Sequence, residues 1–284
     1  MIRLVAIDLD GTLLNSELRV TPDTAQTIRR YAAQGVLFTF CSGRCLVELG
    51  VVGELVSGFR YAILCNGAYA LDLRSNELLH EAALTPAQTL EMYCAGEGLD
   101  RMAELSFCDR VIAERQAVVQ LERYGLGGPL THTVRTTREQ VDDLGRWLRE
   151  NRQNVGKINM FFPTRAERDR AIARYAPYPF AYCHQLENNF EINSPDASKG
   201  SALAALAARL GIRKDEVMAI GDNNNDLPML EYAGTAVAMG NAIEKIKEQA
   251  DFVTRSNDPA GVAHALRQLL GEKSAGTAEL RSGR

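Results

Sequence analysis

No stretch of this 284-residue chain comes near the roughly 18 consecutive apolar residues that a membrane-crossing helix requires. Basic charge is not in excess either. Lys and Arg total 32 against 36 Asp and Glu, a formal net charge of −4, so the basic footprint of a nucleic-acid-binding protein is not expected. The six cysteines (Cys41, Cys45, Cys65, Cys94, Cys108 and Cys183) include no CxxC pair. Cys41 and Cys45 stand four apart, but no second pair completes a zinc pattern. They are expected to be reduced thiols of a cytosolic protein, used as small buried hydrophobes. The N-terminal apolar run is interrupted by Arg3, Asp8 and Asp10 and leads to no cleavage site, so a secretory signal is not expected.

What the chain does have is enough apolar content, 46%, for one large domain or two. LVAIDL, VLFTFCSG and YAILCNGA are short continuous apolar runs, the pattern of strands buried on both faces. Between the first two, Thr21-Pro22 opens a helix that the sequence carries to about Gln34 and stops at Gly35. The rhythm returns after Pro195 with the helix SALAALAARLGI, the strand EVMAIGD, the strands TAVAMG and ADFVTRS, and a last helix, PAGVAHALRQLLG. Alternation of this kind predicts an α/β fold, a doubly wound and mostly parallel sheet covered by helices. The middle differs. Helical stretches at 86–98, 115–123, 137–152 and 165–176 alternate with the short strands MAELSF, RVIAE and KINMFF, punctuated by Pro129, Pro163, Pro177 and Pro179. The expected organisation is a discontinuous α/β domain (1–84 and 188–272), an inserted α+β unit (85–187) and a polar, disordered tail (273–284).

In a doubly wound sheet, ligands bind beyond the carboxyl ends of the strands. Those ends carry Asp8-Leu9-Asp10-Gly11-Thr12, Ser42-Gly43-Arg44 and Gly221-Asp222-Asn223-Asn224-Asn225-Asp226; Ser198-Lys199-Gly200 precedes a helix. Carboxylates, one lysine, a hydroxyl and loop amides suit a hard divalent cation and a phosphate. One carboxylate could attack phosphorus, while the other protonates the leaving oxygen and then deprotonates water. Asp222 is the natural third metal ligand. Lys199 would neutralise phosphate charge, Ser42 and the Gly43 amide would bind its oxygens, and Asn225 could add an N–H.

DLDGT at 8–12, SGR at 42–44, SKG at 198–200 and GDNNND at 221–226 follow the order of the four motifs of the haloacid dehalogenase (HAD) superfamily. CNGA at 65–68, AMGNA at 238–242 and SNDPAGVAHAL at 256–266 resemble its Cof-type phosphatases, whose α/β (type IIB) cap the insert would supply. The resemblance implies that Asp8 is the nucleophile and a metal ligand. It makes Asp10 the general acid/base, touching the metal through its backbone carbonyl, and Asp222 the remaining carboxylate ligand. It places Leu9, Ser42, Gly43, Lys199 and Asn225 on the phosphate. Thr12, Arg44, Asn66 and Asp226 fall behind them, Asp226 orienting Lys199 or its loop.

Plainer readings stand beside each. Paired aspartates make turns, GDNNND could be a polar loop, and Ser42 could simply cap a helix near Arg44. A solvated lysine is a poor choice at a helix N-terminus unless an anion sits there too. Arg44 could touch phosphate or form a structural ion pair. Asn66 is expected to shape a loop facing the cleft, Glu187-Asn188-Asn189 to form a turn, and Cys41 and Cys65 to serve packing. The four histidines receive no role. The expected function is a Mg²⁺-dependent phosphatase of small phosphorylated metabolites working through a phosphoaspartate. Sugar phosphates are the first guess, then flavin mononucleotide or pyridoxal phosphate, with neither nucleic acid nor membrane as partner. The rivals are a phosphomutase on the same scaffold and a non-catalytic metabolite-binding protein.

Overall fold

The computed structural model describes residues 1–49, 58–183 and 186–271. The expected polar tail lies outside the described residues. The continuous apolar runs form β1 (Leu4–Asp8), β2 (Leu37–Cys41) and β3 (Tyr61–Leu64), all parallel. β4 (Tyr69–Asp72) and β5 (Glu77–Glu81) then fold back antiparallel. A second sheet follows, from β6 (Met102–Ser106), β7 (Val111–Glu114), β8 (Arg138–Val141), β9 (Lys157–Phe161), β10 (Ala181–Cys183) and β11 (Asn189–Asn193). β12 (Val217–Gly221), β13 (Thr235–Ala238) and β14 (Phe252–Val253) rejoin the first sheet in parallel.

The first sheet runs β14-β13-β12-β1-β2-β3-β4-β5. β1 is therefore interior, with Ile7 opposite Ile220 and Asp8 opposite Cys41. Every residue of β1 and β12 is buried, as expected of strands covered by helices on both faces. The helix Pro22–Ala33 begins as the sequence indicates. The Thr21 hydroxyl accepts the Thr24 N–H at 3.2 Å, and Gly35 turns the chain away in the left-handed region.

The second sheet runs β10-β11-β9-β6-β7-β8, antiparallel throughout except between β7 and β8. Its strands alternate with period two. Ala103, Leu105, Ile158, Met160, Phe190 and Ile192 enter one apolar cluster with residues from the helices Pro86–Ala95, Leu144–Glu150 and Arg165–Tyr175. The opposite positions of the central strands, Glu104, Lys157, Asn159, Asn189, Glu191 and Asn193, are polar yet equally buried.

Two expectations are corrected here. The 137–152 stretch is not one helix. Arg138–Val141 pairs with β7, and a new helix starts at Leu144, capped by Asp143. A neighbouring strand edge overrides the modest helical preference of REQV. Nor does the chain return to the first sheet at residue 188. β11 belongs to the second sheet, and the return comes after Asn193. The polar residues at 187–189 read as a turn, but Asn189 already pairs with Phe161.

Candidate active site

β1, β2 and β12 end side by side, so the loops that follow them meet at one edge of the sheet. The chain turns at Gly11, in the left-handed region at φ +87°. A Cβ there would lie 2.6 Å from Asp222 Oδ2, so the residue must lack one for the first and last loops to approach. Thr12 Oγ1 donates to Asp222 Oδ1 at 2.7 Å, and this hydrogen bond fixes the carboxylate's orientation.

Ser198 caps the helix Lys199–Arg209, its hydroxyl accepting the Ser201 N–H at 2.9 Å. That places Lys199 in the first turn, where the helix dipole repels a cation. The side chain is nonetheless buried, with its ammonium 2.5 Å from Asp8 Oδ1 and 2.5 Å from Asp226 Oδ1. Asp226 is fully committed. Its other oxygen accepts the backbone N–H groups of Asp222 and Asn223 at 2.9 and 3.0 Å.

Carboxylate oxygens of Asp8, Asp222 and Asp226 all lie within 4.8 Å of one another. Three carboxylates around one ammonium leave surplus negative charge. Burial pushes the Asp8 carboxyl well up, and Asp226 adds to this while Lys199 opposes it. Burial likewise raises Asp222. Burial disfavours the Lys199 ammonium, but Asp226 and Asp8 outweigh it and hold the charge. An all-oxygen donor set with unbalanced charge fits a hard divalent cation. Because Asp226 is spent on Lys199 and the loop amides, Asp8 and Asp222 are the side chains with capacity for it.

Asp10 turns elsewhere. Its carboxylate is held by Arg44, with Nε at 2.9 Å from Oδ2 and Nη2 at 2.5 Å from Oδ1. Ser42 is buried and accepts the Arg44 N–H at 3.1 Å, which closes a tight turn rather than capping a helix, since the next helix begins only at Leu46. Leu9 buries its side chain, and Asn225 sits half-buried on the last loop.

Asn66 sits in a tight turn behind the cleft. Cys65, Asn66 and Gly67 have φ values of +51°, +58° and +100°. The Cys65 and Asn66 N–H groups donate to the carbonyls of Arg44 and Ser42, each at 3.0 Å. A Cβ on Gly67 would stand 2.0 Å from the Ser198 carbonyl oxygen. This left-handed turn therefore joins two of the candidate phosphate loops. Asn66 Nδ2 also reaches the second sheet, donating to Glu191 at 2.9 Å and Asn193 at 3.1 Å. Cys41 and Cys65 are buried, which pushes both thiols up, in keeping with packing roles.

A cleft of about 470 Å³ opens beside these loops, between the two sheets. Sequence reasoning missed the residues that line its far wall. Lys157 donates to the Gly43 carbonyl at 2.9 Å and to Glu191 at 2.8 Å. Arg138 pairs with Glu104 of the second sheet at 2.8 Å and with Glu48 of the first unit at 2.8 Å. His132, which the sequence left without a role, lies at the same cleft. The signal was available in principle, since KINMF and NFEIN alternate with period two, but such a polar face ordinarily points to water.

The haloacid dehalogenase-like hydrolase family model matches residues 5–266. A putative phosphatase of Bacillus subtilis, YxeH, is 32% identical over 282 residues, covering 95% of this chain and 99% of the relative. The 5-amino-6-(5-phospho-D-ribitylamino)uracil phosphatase YwtE of the same organism is 28% identical, covering 94% and 98%. A haloacid dehalogenase-like hydrolase structure from B. subtilis superposes with a TM-score of 0.80 at 29% identity, covering 94% of this chain and all of that one.

Proposed function

The chain belongs to the haloacid dehalogenase-like hydrolases, and from that premise we propose that it is a Mg²⁺-dependent phosphatase of small phosphorylated metabolites in the cytosol, with Asp8 as the nucleophile. The observation that carries this reading is the buried ammonium of Lys199 shared between Asp8 and Asp226, with Asp222 beside them. Asp226 is accounted for by Lys199 and the loop amides, whereas Asp8 and Asp222 are two further buried carboxylates brought together beside it, an arrangement costly without a cation.

Asp8 attacks phosphorus in line with the departing alcohol. Lys199 holds Asp8 in position and offsets charge on the phosphoryl oxygens. Ser42, the Leu9 and Gly43 backbone N–H groups and the Asn225 side chain take those oxygens as hydrogen-bond donors. Asp10 gives a proton to the leaving oxygen and then removes one from the water that opens the phosphoaspartate. For that it must leave Arg44, whose guanidinium is then available to the incoming phosphate. Asp8, Asp222 and the Asp10 carbonyl would hold a magnesium ion. When bound, the ion supplies the positive charge that lets a phosphate dianion approach these carboxylates. Residues 85–193 act as the cap over the site.

The test is release of inorganic phosphate from acetyl phosphate, a small and undemanding donor. Asp8→Asn should lower kcat at least about a thousandfold with the folded state intact by circular dichroism. Near-normal turnover in that variant overturns the reading.

A further inference from the structure

Resting on that reading, we infer that Lys157 is a positioning residue for the phosphate, acting from the second sheet through the Gly43–Arg44 peptide on the Ser42 hydroxyl. The carbonyls of Ser42, Gly43 and Arg44 follow one another through the candidate phosphate loop. The outer two are held from within the first unit, by the Asn66 and Cys65 N–H groups, each at 3.0 Å. The middle one is held from the second sheet. Lys157, the first residue of β9, donates its ammonium to the Gly43 carbonyl at 2.9 Å. A cation on a carbonyl oxygen draws electron density through the peptide and strengthens its N–H as a donor. That N–H belongs to Arg44, and it donates to Ser42 Oγ at 3.1 Å. An oxygen that accepts in this way becomes a better donor in turn. The Ser42 hydroxyl and the Gly43 N–H have no acceptor of their own among the described residues. They are the donors that the loop presents to an anion.

The place of the ammonium is fixed by its surroundings. Lys157 is 5% exposed, and a buried cation is costly unless it is paired. Glu191 on the neighbouring strand accepts from it at 2.8 Å. Asn66 Nδ2 holds the other oxygen of that carboxylate at 2.9 Å. The start of β9 is stapled down as well. Asn193 Nδ2 donates to the Gly156 carbonyl at 2.8 Å and to the Cys65 carbonyl at 3.0 Å. One side chain thus ties the residue before Lys157 to the turn that holds the Ser42 and Arg44 carbonyls. A lysine that only joined the two units would be satisfied by carboxylates. This one also touches a loop carbonyl, one peptide away from a phosphate donor, so the grip on phosphate is complete only with the second sheet seated on the first unit.

Orthovanadate, a phosphate mimic with no leaving group, is the probe, and titration calorimetry in magnesium buffer reads its affinity. Lys157→Met/Glu191→Met removes the ammonium and its partner together and so leaves neither charge orphaned. It should weaken vanadate binding about fivefold or more. In a Ser42→Ala background the same pair should cost less than about twofold, because the hydroxyl through which it acts is gone. A general loosening of the loop would also displace the Gly43 N–H, and the full loss would then persist in that background. Lys157→Arg keeps a cationic donor and should stay within about threefold of the parent. Equal losses in the two backgrounds overturn the inference. So does an unchanged affinity in the paired variant, or a parent protein that binds no vanadate. If the apolar pair does not fold, Lys157→Gln/Glu191→Gln runs the same cycle, since glutamine is uncharged and one atom shorter than lysine. Failure of the phosphatase reading is separate: the parent would then release no phosphate from acetyl phosphate, while calorimetry would still read the coupling between Lys157 and Ser42.

Discussion

Thr12 donates a single hydrogen bond to Asp222, yet that bond orients one of the two carboxylates with capacity for a cation. Thr12→Val keeps the shape and removes the donor. The magnesium concentration for half-maximal activity should rise about 10- to 100-fold, the usual effect of losing a group that orients a metal ligand; a magnesium titration of the rate measures it. Gly67 offers a second test. Alanine there would place Cβ against the Ser198 carbonyl in a left-handed backbone. The expected cost exceeds about 1 kcal/mol, seen as a lower urea midpoint. Because the displaced carbonyl belongs to the residue before Lys199, kcat should fall as well. Gly35, where an added Cβ would meet nothing within 4 Å, should tolerate alanine with only the backbone strain.

At the scale of strands and helices, β9 and β11 clamp the second sheet onto the first unit through Lys157 and Glu191. Burial works against the Lys157 charge, but Glu191 and Glu48 outweigh it and raise its pKa. Lys157→Met leaves Glu191 buried with its cationic partner gone, which should cost about 3–5 kcal/mol. The double variant Lys157→Met/Glu191→Met should lose less than the single one. Urea denaturation of the three proteins reads both outcomes. The sequence revealed β1, β2, β3 and β12, because strands buried on both faces are continuous apolar runs, and Asp8, Ser42 and Asp222 stand where those runs stop. Ser198 and Lys199 were legible as a polar group just before the helix SALAALAARLGI. The second unit was less so. REQV becomes a strand only because β7 offers an edge. Lys157, Glu191 and Arg138 did not stand out, because nothing local tells a polar face turned to water from one turned to another domain.

For the whole molecule, the surplus of carboxylates at the site links folding to the cation. Magnesium at about 100 times its dissociation constant should add about 2.7 kcal/mol and raise the melting temperature, and Asp222→Ala should abolish most of the gain. Differential scanning fluorimetry with and without a chelator checks this. Acid should act elsewhere. Burial opposes the Asp72 charge, but the Arg74 N–H and the Arg60 guanidinium overcome it and hold the carboxyl below its ordinary value. Arg267 does the same for Asp23, and Arg123 for Asp100. A depressed carboxyl stabilises the fold above its unfolded pKa and loses that contribution as pH falls through the folded one. The melting temperature should therefore decline below about pH 4, and less steeply in Asp72→Asn. The two faces of the second sheet separate two tasks that most proteins entangle. Ile158, Met160, Phe190 and Ile192 hold the unit together, while their alternate neighbours Asn159 and Asn189 line the cleft. A combinatorial library confined to those two codons would thus vary the cleft wall while leaving the apolar scaffold untouched, so this chain should diversify its chemistry faster than its shape.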